Sequence, residues 1–288
     1  MRVIVTRPAR EAQDWVLALR QAGWRAEALP LIDIAPAPDL DAVRRAWSRL
    51  EASPGHCLAL MFVSANAVEG FFAARPVGTL PLLSTPIQAW ATGPGTARAL
   101  VAAGWPPARI VVPPEDAPQF DSEALWARVA GQVRSGSRVL IVRGADAQDL
   151  RDTHAHASDL ARSGVELAGA GAGRDWFARQ VREAGGQVDF VASYQRCPPR
   201  WAQQELELAS VCAATPGGAV WLFSSSEAVH NLRSLLPEQD WGAAHALVTH
   251  ERIARAARDA GFVDIAVSRP ALADVQNALA AFPGREPR

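Results

Sequence analysis

The sequence predicts an α/β protein of two similar, internally duplicated domains, each a parallel sheet covered by helices. Three observations predict it. Short apolar runs alternate with helix-spaced segments along the chain, as parallel strands joined by crossover helices require. Several phrases occur twice at similar offsets. Two proline-marked stretches, PLIDIAPAP (30–38) and SYQRCPP (193–199), interrupt the alternation and read as extended connectors.

In order, residues 2–6 (RVIVT) read as a strand. Pro8 suits the start of a helix, Trp15, Val16, Leu19 and Ala22 recur with helical spacing, and Gly23 closes it. A strand follows at 25–29, then the first connector. Helices are expected at 40–51, 66–74, 96–103, 122–133 and 175–184. Strands are expected at 58–63, 87–91, 110–112, 138–142 and 187–192. After the second connector come helices at 201–213, 227–236, 252–260 and 271–280, with strands at 219–223, 246–249 and 264–267.

The repeats carry the duplication. FVSANAVEGFF (62–72) is echoed by FSSSEAVHNLRSLL (223–236), with Phe62 and Phe223 161 positions apart (223 − 62). ATGPGTARALVAAGW (91–105) is echoed by VTHERIARAARDAGF (248–262), with Thr92 and Thr249 157 apart (249 − 92). DWVLALRQAGW resembles DWFARQVREAGG, and VTRP at Val5 resembles VRGA at Val142. Similar offsets favour duplication over the general likeness of α/β sequences.

The 288 residues are 49% hydrophobic and 20% charged with a net charge of −1, a profile that excludes disorder and any general basic field for nucleic acid. No apolar run approaches the roughly 18–20 residues of a membrane span. The first residues turn charged too soon for a secretory signal, so the expected compartment is the cytoplasm. Cys57, Cys197 and Cys212 are odd in number without CxxC spacing, as reduced thiols would be.

Ligands of open α/β sheets bind beyond the carboxyl ends of the strands. The residues expected there are Thr6-Arg7, Ser64-Ala65-Asn66, Thr92-Gly93 with Thr96, Arg143-Gly144, Ser224-Ser225-Ser226 and Thr249. Each junction reads in two ways: a capped helix start, or an anion site made by hydroxyls and helix N-terminal N–H groups. Tyr194, the one tyrosine, either packs its ring in the connector or donates a hydrogen bond as a weak acid. Other chemistries fit less well. Gly93-Pro94-Gly95 has Arg98 at the third glycine position of a dinucleotide fingerprint, and no phosphate loop GxxxxGK[ST] occurs. His154 and His156, with Asp152 and Asp159, offer metal ligands or simply a solvated Gly/Ala-rich segment.

Taken in order, VIVTRPAREAQDWVLALRQAGWRAEALPLIDI, FVSANAVEGFF, ATGPGTARAL, RVLIVRG, GRDWFARQVREAGGQVDFVASYQR, WLFSSSEAVHNL and ALVTHERIARAARDAGF resemble the uroporphyrinogen-III synthase family over nearly the whole chain. The resemblance implies one domain from residues 1–34 and 200–288 and a second from 39–192. Linkers at 30–38 and 193–199 would join them, with the active-site cleft between. It implies a monomeric, cofactor-free lyase without a metal. The enzyme would close the linear tetrapyrrole hydroxymethylbilane, a small molecule with eight carboxylates, to uroporphyrinogen III with loss of water and inversion of ring D. Tyr194 would then assist catalysis, and the junction residues would hold carboxylates. The family's Gly-Arg after the mid-chain strand is displaced here: Gly173-Arg174 follows only after residues 145–172. Glu251 also stands beside Thr249, and a carboxylate site requires it to point away. The rival reading is a non-enzymatic two-domain α/β protein that binds a small polyanion.

Overall fold

The computed structural model describes residues 1–53, 55–77, 85–114, 120–145 and 172–282. In chain order the elements begin with β1 (Arg2–Val5), α1 (Ala9–Gln21), β2 (Arg25–Ala28), β3 (Asp33–Pro36) and α2 (Leu40–Ala52). Next come β4 (Cys57–Phe62), α3 (Ala65–Ala73), β5 (Gln88–Ala91), α4 (Pro94–Ala102), β6 (Ile110–Val111) and α5 (Ser122–Val129). Then follow β7 (Arg138–Gly144), α6 (Ala172–Glu183), β8 (Gln187–Cys197) and α7 (Gln203–Ala214). The chain continues through β9 (Ala219–Phe223), α8 (Ser226–Leu235), β10 (His245–Val248), α9 (Glu251–Ala260), β11 (Asp264–Val267) and α10 (Leu272–Ala280). Backbone contacts group these into two units, Met1–Ile34 with Cys197–Arg288, and Ala35–Arg196.

The first unit holds a parallel sheet of order β11-β10-β9-β1-β2. Every residue of β9 is buried, as expected of a strand covered on both faces. Trp221, Phe223, Trp241 and Phe262 fill one side of it. Val3, Val5, Val16 and Leu19 fill the other. Gly23 and Gly261, with φ of 85° and 107°, occupy the left-handed conformation that lets α1 and α9 stop short of the next strand.

The second unit has the order β3-β8-β7-β4-β5-β6, and the pairs from β8 to β6 are parallel. Met61, Trp90, Ile141 and Phe177 pack on one side. On α2, Trp47 stacks on Phe71 of α3 with centroids 4.6 Å apart and donates its indole N–H to the Phe71 carbonyl.

Apart from the edge strand β3, the two sheets have the same strand order. Matching β9 to β4, β10 to β5, β11 to β6, β1 to β7 and β2 to β8 carries β11-β10-β9-β1-β2 onto β6-β5-β4-β7-β8. The duplication is therefore collinear along the chain but exchanged in space. Each half of the sequence contributes its leading β-α-β to one unit and its following strands to the other.

The two stretches read as extended connectors include strand, and one match within the repeat needs correction. Residues 33–36, read as connector, form β3 at the edge of the second sheet, where a terminal proline removes no ladder bond. Residues 193–197, also read as connector, continue β8. The match of VTRP with VRGA slips by one. Val142 pairs with Phe62, whereas Val5 pairs with Leu222, one position before Phe223. By register Thr6 corresponds to Val142, and Arg7 to Arg143.

Candidate functional site

In the second unit, β7, β4 and β5 are neighbours, so their carboxyl ends set Gly144, Ser64 and Gly93 along one rim. Ser64 is extended and caps α3, its hydroxyl accepting from the Ala67 N–H at 3.1 Å. Ala65 and Asn66 are then the first two helical residues, whose N–H groups have no partner within the helix. At α4, Gly93 is the cap and Pro94 the first residue. Pro94 lacks an N–H, so Gly95 and Thr96 carry the donors there. Thr96 is buried.

Tyr194 joins this rim through a β-bulge. Arg143 pairs with Ala192 but Gly144 with Tyr194, leaving Ser193 as the extra residue. A bulge re-aims the side chains that follow it, and Ser193 and Tyr194 are both buried in succession. The Ser193 hydroxyl donates to the Ala67 carbonyl at 2.9 Å. The Tyr194 phenol lies against Gly144, where an added Cβ would stand 2.8 Å from Cζ. Its oxygen accepts from Ser64 Oγ at 3.2 Å. The Ser64 hydroxyl thus accepts from the Ala67 N–H and donates its own proton to Tyr194, leaving the phenolic proton for a further acceptor. Tyr194 is 3% exposed. It is packed away from solvent, and desolvation of that kind strengthens any bond it donates.

Sequence reasoning missed Ser193 and Gly70. A Cβ on Gly70 would meet the Ser193 carbonyl oxygen at 2.1 Å, so α3 can approach the bulge only with glycine there. The signal was present: a glycine inside a helical pattern marks close backbone approach.

In the first unit, β10, β9 and β1 are neighbours and bring Thr249, Ser224 and Thr6-Arg7 to one rim. Thr6 is spent on the sheet. Its hydroxyl donates to the Leu222 carbonyl at 2.8 Å and its carbonyl accepts from Leu31 N–H. Its hydroxyl and carbonyl are thus both engaged within the first unit. The Arg7 guanidinium lies 4.5 Å over the Trp15 ring and pairs with Glu11 at 3.2 Å. Burial pulls its pKa below the ordinary value, and Glu11 offsets part of that. Arg7 Nε is buried with no hydrogen-bond partner among the described residues. Arg143, its counterpart by register, is likewise buried, with its guanidinium 5.4 Å over Phe190 and donating to the Gly144 carbonyl.

Ser225, half-buried, caps α8 by accepting from Glu227 N–H at 3.2 Å. It stands 161 positions after Ser64 (225 − 64), so the repeat carries cap onto cap. Ser224 is half-buried ahead of it. Ser226 Oγ is buried without a hydrogen-bond partner among the described residues. At the next junction the cap is His250, whose Nδ1 accepts from Arg252 N–H at 3.0 Å. Thr249 precedes it, with its N–H on the Phe223 carbonyl. Glu251 pairs with Arg258 at 3.1 Å, turned along its own helix.

His154, His156, Asp152 and Asp159 lie outside the described residues, as does the Arg174 side chain. Among the described residues no cluster of His, Cys, Asp or Glu suits a metal ion, and no helix is long and apolar enough to cross a membrane. The three cysteines are unbonded thiols.

Residues 13–157, half the chain, match the family described as uroporphyrinogen-III synthase HemD. Among solved structures the chain is similar to uroporphyrinogen-III synthetase from Helicobacter pylori. That match has 15% identity, covers 98% of this chain and 99% of that one, and has a TM-score of 0.55. It is also similar to a mutant uroporphyrinogen III synthase from the extremely thermophilic bacterium Thermus thermophilus. There the identity is 15%, coverage is 97% of each chain, and the TM-score is 0.50. At such identities the structures speak for a shared fold.

Proposed function

The chain belongs to the uroporphyrinogen-III synthase family, and on that premise we propose that it closes hydroxymethylbilane to uroporphyrinogen III, with loss of water and inversion of ring D. It works as a monomeric cytoplasmic lyase without cofactor. The observation that carries the mechanism is the hydrogen bond from Ser64 to Tyr194, which leaves the phenolic proton available.

Tyr194 donates that proton in a hydrogen bond to the hydroxyl of ring A. The pyrrole nitrogen pushes electrons toward the adjoining carbon, the C–O bond breaks, and the hydroxyl takes the Tyr194 proton and departs as water. Ring D then attacks that carbon through its own substituted carbon, giving a spiro intermediate. The older bond from the substituted carbon to the bridge with ring C breaks, the bridge rejoins at the free α-carbon of ring D, and the proton lost there restores the pyrrole and returns to the Tyr194 phenolate. Positioning supplies much of the acceleration, because the open chain also closes unaided in the uninverted sense. Each unit offers helix N-termini suited to carboxylates, those of α3 and α4 in the second unit and those of α8 and α9 in the first. Arg7, Arg143, Ser226 and Thr249 add donors beside them. Each helix-end contact is worth about 0.3–1 kcal/mol when exposed, so it takes many of them to hold one conformer.

The test is to incubate the protein with freshly generated hydroxymethylbilane and resolve the type I and type III isomers after oxidation. Type III product is expected. Type I product alone would end this reading.

A further inference from the structure

We propose that the second unit carries another binding site, for a small amphipathic anion, at the end of its sheet opposite the Tyr194 rim. A cavity of about 620 Å³ lies there between α2 and the first residues of β4, β7 and β8. That volume suits a small organic molecule. From Arg138 at the start of β7 to Gly144 at its end is roughly 20 Å at about 3.3 Å per residue. Phe190 also lines the cavity, and its ring lies 5.4 Å from the guanidinium of Arg143.

The lining has two chemistries. Its apolar part comes from Leu50, Leu140 and Val191, with Ala42 and Ala46 one turn apart on α2. Two alanines at that spacing leave a groove on the helix face, where larger side chains would fill it. The polar part is largely cationic: Arg45, Arg49 and Arg138 line the cavity, with His56 beside them, against one acid, Asp189. Arg45 is engaged by Asp39 at 3.0 Å. Arg138 is engaged by Gln187 at 2.9 Å and Asp189 at 3.8 Å. Among the described residues no carboxylate pairs with Arg49. Arg49 is thus the cation available to a ligand, with Arg138 able to share.

An apolar floor beneath an available guanidinium selects a molecule with one acidic group and a compact hydrocarbon or aromatic body. Bare phosphate would leave the floor unfilled. A neutral hydrocarbon would leave the arginines without a partner.

The probe is 8-anilinonaphthalene-1-sulfonate, titrated by fluorescence into the full chain, with uncharged N-phenyl-1-naphthylamine as its neutral counterpart. Saturable one-site binding of the sulfonate is expected, tighter than the amine by about tenfold. Ala46→Phe, which fills the groove, weakens both probes by about tenfold or more. Arg49→Gln, at an exposed position that folding does not depend on, weakens the sulfonate about fivefold and leaves the amine unchanged. Equal affinity of sulfonate and amine, or of wild type and Arg49→Gln for the sulfonate, overturns the anion assignment. Undiminished binding to folded Ala46→Phe overturns the site. Should Ala46→Phe not fold, the Arg49→Gln comparison decides alone.

Discussion

Ser64 Oγ donates to the phenolic oxygen of Tyr194 across 3.2 Å, joining a helix cap to a strand 130 positions away. The cap is thereby tied to the proposed proton donor. Removing the phenolic oxygen in Tyr194→Phe leaves the ring packing and deletes the donor. Turnover is expected to fall about 100-fold, the lower end of what a positioned acid contributes. Stability should change by only about 1 kcal/mol, the net worth of one hydrogen bond. Isomer-resolved product formation checks the first, and urea unfolding the second. Unchanged turnover would remove Tyr194 from the mechanism.

The repeat sets up an internal control. Ser64 and Ser225 each cap a helix through the hydroxyl, Ser64 on the Ala67 N–H and Ser225 on the Glu227 N–H, so Ser64→Ala and Ser225→Ala should each cost about 1 kcal/mol of stability. Only Ser64 also touches Tyr194. Its loss should lower kcat as well, with little further loss when combined with Tyr194→Phe, because coupled residues are not additive. Fully additive effects on log kcat would show that the two hydroxyls act separately.

Gly144 is held to glycine by Tyr194. The Gly144→Ala methyl would meet the ring at 2.8 Å, and overpacking of that kind costs about 1–3 kcal/mol. Removing the ring should relieve it. The double variant Gly144→Ala/Tyr194→Ala is expected to be more stable than the sum of its single changes predicts, by about 1 kcal/mol or more. Denaturant unfolding of the four proteins closes the cycle. A coupling indistinguishable from zero would mean that the ring moves aside freely.

The alternation of strands and helices was legible because it is a local property. The expected strand at 219–223 matches β9 residue for residue, and Gly23 marks a helix end by its own conformation. What escaped depends on partners. The prolines around residues 33–36 spoke against a strand, yet an edge position tolerates them. The bulge at Ser193 exists only in register with β7, so a single sequence cannot display it. The equivalence of Arg7 and Arg143 was hidden for the same reason: aligning valine with valine shifts the strands by one. In the site, the Ser64 and Ser225 caps were readable from serines beside helix starts, whereas Gly93 and His250 cap α4 and α9 where threonines stood nearby. The burial of Tyr194 and the use of Thr6 inside the sheet were not readable, because both are set by side chains far away in sequence.

The alkaline stability of this chain should hinge on one thiol. The sequence contains no lysine, so the groups that usually titrate near pH 10 are absent, leaving three cysteines and one tyrosine. Cys57 is the buried thiol whose pKa is pushed furthest, to about 11 from an ordinary value of 9.0, by burial at the start of β4. Hydrogen bonds from its surroundings pull it back only in part. Above pH 9 the unfolded chain releases the Cys57 proton while the folded chain keeps it. The unfolded state then binds fewer protons, and stability falls as pH rises. The contribution is fully present below pH 9 and is lost through pH 11, to a total of about 3 kcal/mol. Cys57→Ala should lower stability at pH 8 through its small cavity, and flatten the fall between pH 9 and 11. Urea midpoints of both proteins at pH 8, 9, 10 and 11 make the comparison. Parallel curves would place the alkaline loss on other groups.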